Sequence, residues 1–77
     1  MEVLKMRIEK QGRGGKTVTV ISGFTRERRL LSELSSGLKR RLGTGGTVRD
    51  RSIELQGDVR GKARAALERM GFTVKGQ

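Results

Sequence analysis

What limits this chain most is how little apolar material it has to bury. Leu, Ile, Val and Phe together make 19 of its 77 residues. That is just above the roughly one-fifth below which a highly charged chain stays disordered. A domain of this length buries only about 60% of the surface its unfolded chain exposes. One small domain over residues 1–77 is therefore expected, with no room for a deep substrate pocket beside a full core. Every apolar residue has to sit on a face that another element covers.

The apolar positions fall into two periods. Val3–Glu9 alternates, with Leu4, Met6 and Ile8 on one side and Lys5, Arg7 and Glu9 on the other, the pattern of a half-buried strand. Lys10–Lys16 (KQGRGGK) is a glycine-rich basic turn, and Thr17–Ser22 (TVTVIS) is the return strand of a hairpin. Thr25 is placed to cap a helix. Leu30, Leu31, Leu34, Leu38 and Leu42 then fall in an arc of roughly 120° at 100° per residue. Gly43 stands where a helix ends, and Lys39, Arg40 and Arg41 complement the last-turn carbonyls.

Thr47–Arg49 and Ser52–Gln56 read as short strands joined at Asp50-Arg51, and Asp58 as the cap of a second helix. The stripe of that helix is Val59, Ala63, Ala66, Leu67 and Met70, closed by Gly71 with Phe72 as the hydrophobic contact after it. Phe72–Lys75 is a last strand. The order β-β-α-β-β-α-β predicts an α+β two-layer sandwich. Both helices pack on one face of a mainly antiparallel sheet, and the other face is polar and open to solvent.

Composition removes several kinds of chemistry. With no Cys and no His there is no thiolate nucleophile, no imidazole proton shuttle and no Cys- or His-ligated zinc. Gly15-Lys16-Thr17 imitates a phosphate-binding loop, but that pattern needs glycine where Lys10 stands and a helix in place of TVTVIS. Gly43-Thr44-Gly45-Gly46 lacks dinucleotide-loop spacing, since position 48 is Val. Asp50, Glu54 and Asp58 lie among Arg49, Arg51 and Arg60, as surface ion pairs and a helix cap do. The expectation is a non-enzymatic chain with no cofactor and no metal. No stretch approaches a membrane span and no signal-peptide core is present, so a cytoplasmic chain is expected.

Charge is the remaining lead. Eighteen Lys and Arg oppose eight Asp and Glu, a net +10. Such a surplus on a small domain is the footprint of a polyanion partner. Solubility alone would be served by Lys or Glu, whereas Arg suits bidentate phosphate contact. The Lys10–Lys16 turn carries Lys10, Arg13 and Lys16 with no acid, and Gly12, Gly14 and Gly15 let backbone N–H groups approach an anion. An ordinary turn with solvated charges is the plain alternative; three cations on one tip favour phosphate contact.

On the first helix Arg28, Arg29, Lys39 and Arg40 sit opposite the leucines, which by itself reads equally well as a solvated face. The neighbouring stretch adds weight: Lys39–Arg51 holds five cations (Lys39, Arg40, Arg41, Arg49 and Arg51) and one acid, Asp50. At the second helix Arg60 is a contact candidate, while Asp58 is structural. Two Phe, no Tyr and no Trp leave no stacking platform, so the partner is structured RNA or a duplex read through backbone and shape.

Three runs carry a resemblance: RGGKTVTVISGF (Arg13–Phe24), LKRRLGTGGTVRD (Leu38–Asp50) and IELQGDVRGKARAALERMGF (Ile53–Phe72). In this order they resemble the eukaryotic-type translation initiation factor 1 family, in its small bacterial and archaeal form. The resemblance implies a small non-enzymatic α/β domain that binds the small ribosomal subunit near the P site through ribosomal RNA; a monomer is expected. It also implies an influence on initiator tRNA and start-codon selection, alongside other initiation factors. The family's basic loop matches Lys10, Gln11, Gly12, Arg13, Gly14, Gly15 and Lys16, and its basic positions late in the first helix match Lys39 and Arg40.

Many members carry an N-terminal tail, whereas here the first strand is expected almost at Met1, and eukaryotic members have a longer link where this chain turns at Asp50-Arg51. For a bacterial member the resemblance leaves an accessory role or inhibition of translation open. A general structured-RNA or DNA module, and a domain docking a larger factor through its helices, are the competing readings.

Overall fold

The computed structural model describes residues 3–12 and 14–76. Among these, five strands and two helices run in the order β1 (Val3–Gln11), β2 (Lys16–Ser22), α1 (Arg28–Leu42), β3 (Gly46–Arg49), β4 (Ser52–Gln56), α2 (Arg60–Arg69) and β5 (Thr73–Gly76). The sheet order is β3-β4-β2-β1-β5. Pairing is antiparallel except between β1 and β5, which run parallel. This is the α+β architecture the apolar periods predict.

Register decides which side is buried. Met6 pairs with Ile21, Ile21 with Ile53, and Leu4 with Val74, so these residues share one face of the sheet. Leu31 and Leu38 of α1 and Ala63, Ala66 and Leu67 of α2 join them in a single core, closed by Phe24 and Phe72 packed edge to face at 6.0 Å between ring centroids. The opposite face is polar at β1 and β4, but Val18 and Val20 are buried on it. They pair with Glu9 and Gln56, and with Arg7 and Glu54, so long polar side chains flank them on both neighbouring strands.

Several boundaries differ from the sequence expectation. β1 runs on through Lys10 and Gln11, and β2 starts at Lys16, because Lys10 pairs with Thr17 and Gln11 with Lys16. Backbone pairing continues there although apolar alternation has stopped. α1 starts after Glu27, whose side chain makes no capping hydrogen bond, rather than directly after Thr25. Leu30, at the rim of the leucine arc in the first turn, is exposed.

The capping position of α2 is Val59, not Asp58, although Asp58 Oδ1 still accepts the Arg60 N–H at 3.3 Å. The other partner of this turn is Thr19. Fully buried, it accepts the Val59 N–H at 3.0 Å and donates to the Gly57 carbonyl at 2.8 Å. The end of α2 is as expected: Gly71 N–H bonds to Glu68 O at 3.0 Å and Phe72 N–H to Leu67 O at 3.1 Å, with Phe72 buried. The last strand begins one residue later, at Thr73.

Candidate nucleic-acid interface

Strand direction decides which turns become neighbours. β1, β4 and β5 run toward the β1–β2 turn, while β2 and β3 run away from it. α1 links the far end of β2 to the near end of β3, and α2 starts where β4 ends. Three chain reversals therefore share one end of the sheet: the link between β1 and β2, residues 43–46 and residues 57–59.

Hydrogen bonds lock them together. Gly57 N–H bonds to Thr17 O and Gln56 N–H to Gly45 O, both at 2.8 Å. Thr44 Oγ1 donates to Gln56 O at 2.8 Å, and Lys39 Nζ to Gly46 O at 3.4 Å. Gly46 has no room for a side chain, since a Cβ there would overlap the Glu54 carbonyl oxygen. Gly43 ends α1 in the left-handed region at φ 64°. The GTGG and QGD runs thus hold one another, which accounts physically for their residue types.

This end collects part of the expected basic set. Lys10 and Gln11 close β1, Gly12, Gly14 and Gly15 form the tip, Lys16 opens β2, and Lys39 and Arg40 lie in the last turn of α1. Arg13 lies outside the described residues. Arg49 starts from the far side of β3, but its side chain lines a groove of about 610 Å³ together with Gln11, Gly12 and Lys16.

Other expected residues are placed elsewhere. Arg28 and Arg29 sit at the opposite end of α1, about 16 Å from Lys39 and Arg40 at 1.5 Å per residue. Arg51 is at the far β3–β4 turn, where Asp50 takes φ 54°. Arg60 starts α2 at the near end, but its guanidinium is held by Asp58 at 2.8 Å. That contact keeps the Asp58 carboxyl below its ordinary range and raises Arg60. Among the described residues, Lys10, Lys16, Arg28, Arg29, Arg40 and Arg51 make no ion pair.

Two features were not anticipated. A second groove of about 630 Å³ between the helices is lined by Arg41, Lys62 and Arg69 over Ala65 and Ala66. Its signal was the i, i+3, i+4, i+7 spacing of residues 62, 65, 66 and 69. The other is Glu54, whose side chain is only 12% exposed. Strand alternation had placed it on an open face.

The chain matches the family described as Translation initiation factor SUI1 over residues 1–73. It belongs to the SUI1 family. A protein translation factor SUI1 homolog of Picrophilus torridus is 47% identical over 75 residues, covering 96% of this chain and 75% of the relative. The homolog of Aeropyrum pernix is 44% identical over 71 residues, covering 92% and 69%. The uncharacterized protein YciH of Escherichia coli is 38% identical over 73 residues, covering 95% and 68%. Membership supports a role in translation initiation, in line with the resemblance in the three glycine-bearing runs. No helix among the described residues is long and apolar enough to cross a membrane.

Proposed function

We infer that this chain is a single-domain, non-enzymatic initiation factor that binds ribosomal RNA of the small subunit near the P site, and thereby influences start-codon and initiator tRNA selection. One observation carries the reading: the hairpin tip and the last turn of α1, distant in sequence, share one end of the sheet, and among the described residues their cations make no ion pair with a carboxylate. A phosphate backbone is the natural complement of such a surface. Arg49 extends it along the sheet. Arg28, Arg29 and Arg51 face a different part of the surroundings, and Arg60 serves Asp58. The partners are the small subunit, initiator tRNA and other initiation factors, met in the cytoplasm by a monomer.

Co-sedimentation with isolated small subunits tests it. Binding at physiological salt should weaken with log affinity falling by roughly 0.7–0.9 per phosphate contacted for each log unit of salt. Replacing Lys10 and Lys16 together by Ala should weaken binding and flatten the slope by about two such contacts. Equal affinity for an unrelated structured RNA would demote the chain to a general RNA-binding module, and no subunit binding with or without initiator tRNA would remove the reading.

A further inference from the structure

The groove on the open face of the sheet contains a group that a phosphate-binding surface does not call for. Glu54 lines it with a side chain only 12% exposed. Among the described residues its carboxylate has no hydrogen bond, and its one ion pair, to Arg49 Nε, is long at 3.9 Å. A mostly covered carboxylate repels phosphate and wants N–H donors. Around it stand Lys16 and Arg49 as cations, Gln56 and Thr47 as neutral polar groups, and Val18 as an apolar floor. At about 610 Å³ the space falls within the range of small-ligand sites.

We propose that this groove holds one unpaired guanine nucleotide of the bound RNA, with the base edge on Glu54 and the phosphate between Lys16 and Arg49. This deepens the RNA-binding reading of the same end of the molecule. The choice of base rests on donor geometry. A carboxylate offers two acceptor oxygens side by side. The Watson–Crick edge of guanine offers two adjacent donors, N1–H and the N2 amino group, so two parallel charge-assisted bonds form. Cytosine and adenine each present one amino group beside an acceptor nitrogen, and the N3–H of uracil is flanked by two carbonyls that the carboxylate repels. Unpaired bases are where proteins read RNA sequence.

The test titrates the isotope-labelled protein with GMP, CMP, AMP, UMP and inorganic phosphate, following backbone amide shifts. GMP should perturb Val18, Thr47, Glu54 and Gln56 and bind roughly tenfold more tightly than UMP, the worth of one good bidentate base contact. Glu54→Gln should bring the two within about twofold while leaving the rest of the spectrum folded. Equal shifts from UMP, or from phosphate alone, overturn the proposal, as do GMP shifts confined to other residues. Because the wild-type comparison is decisive by itself, a misfolded variant does not rescue the idea. Selective GMP shifts in a protein that fails to bind small subunits would retain the pocket and remove the docking reading; subunit binding without base selectivity would do the reverse.

Discussion

Thr19 shows how much one hydroxyl can organise. It bridges the Gly57 carbonyl and the Val59 N–H from inside the core, fixing where β4 ends and α2 begins. Thr19→Val keeps the shape and strands both partners, so we expect a loss of about 2–4 kcal/mol in urea unfolding. Ser35 is the opposite case: its hydroxyl is buried in α1 with no hydrogen-bond partner among the described residues. Ser35→Ala removes an unsatisfied group and improves helix propensity, and should stabilise by about 1 kcal/mol, raising the thermal midpoint by roughly 4–8 °C. Neither role was legible in the sequence. Thr19 looks like any β-branched strand residue, and Ser35 like a polar position on a helix. Only tertiary placement separates the hydroxyl that bridges from the one that is stranded.

At the level of elements, glycines separate ends from interiors. Gly43 stops α1 with φ 64°, whereas Gly37 lies inside the helix with open space where a Cβ would go. Gly37→Ala should therefore stabilise by about 0.5–1 kcal/mol, and Gly43→Ala should destabilise by about 1–2 kcal/mol, both read by denaturant midpoints. The stop at Gly43 and the Gly71–Phe72 closure of α2 were legible, because a left-handed residue after an apolar stripe leaves few alternatives. The strand ends at Lys10, Gln11 and Lys16 were not. These residues are polar on both faces, and the ladder there is held by backbone bonds that side-chain alternation does not report. The helix starts also escaped: α1 begins after Glu27, two residues beyond Thr25, and the turn before α2 is held by the buried Thr19 as well as by Asp58. Of the candidate site, the tip and Lys39 with Arg40 were legible as charge runs. Their separation from Arg28, Arg29 and Arg51 comes from the direction of α1, which charge counting does not contain.

Across the whole molecule, a net charge of +10 is confined to a radius of gyration of 11.4 Å. That is comparable to the distance over which 0.1 M salt screens charge, about 10 Å. Self-repulsion should therefore oppose folding, and the urea midpoint at pH 7 should rise between 50 and 300 mM KCl. Acid acts in the same direction. Hydrogen bonds from Arg7 and Arg60 hold the Glu9 and Asp58 carboxyls below their ordinary values of 4.5 and 3.8. Their contribution is complete above those values and disappears as pH falls through the lower folded-state ones, while protonation of the other acids adds to the repulsion. Circular dichroism from pH 6 down to pH 2 should show unfolding that added salt delays.

The end of the sheet where three distant reversals converge has one more consequence. A nascent or denatured copy of this polypeptide carries the same eighteen lysines and arginines but none of their arrangement. On the proposed reading, attraction to nucleic acid would survive unfolding, and discrimination among nucleic acids would not. What sets the folded protein apart from any polycationic tail is a rigid outline that exists only once strands, helices and their connecting bends have closed on each other.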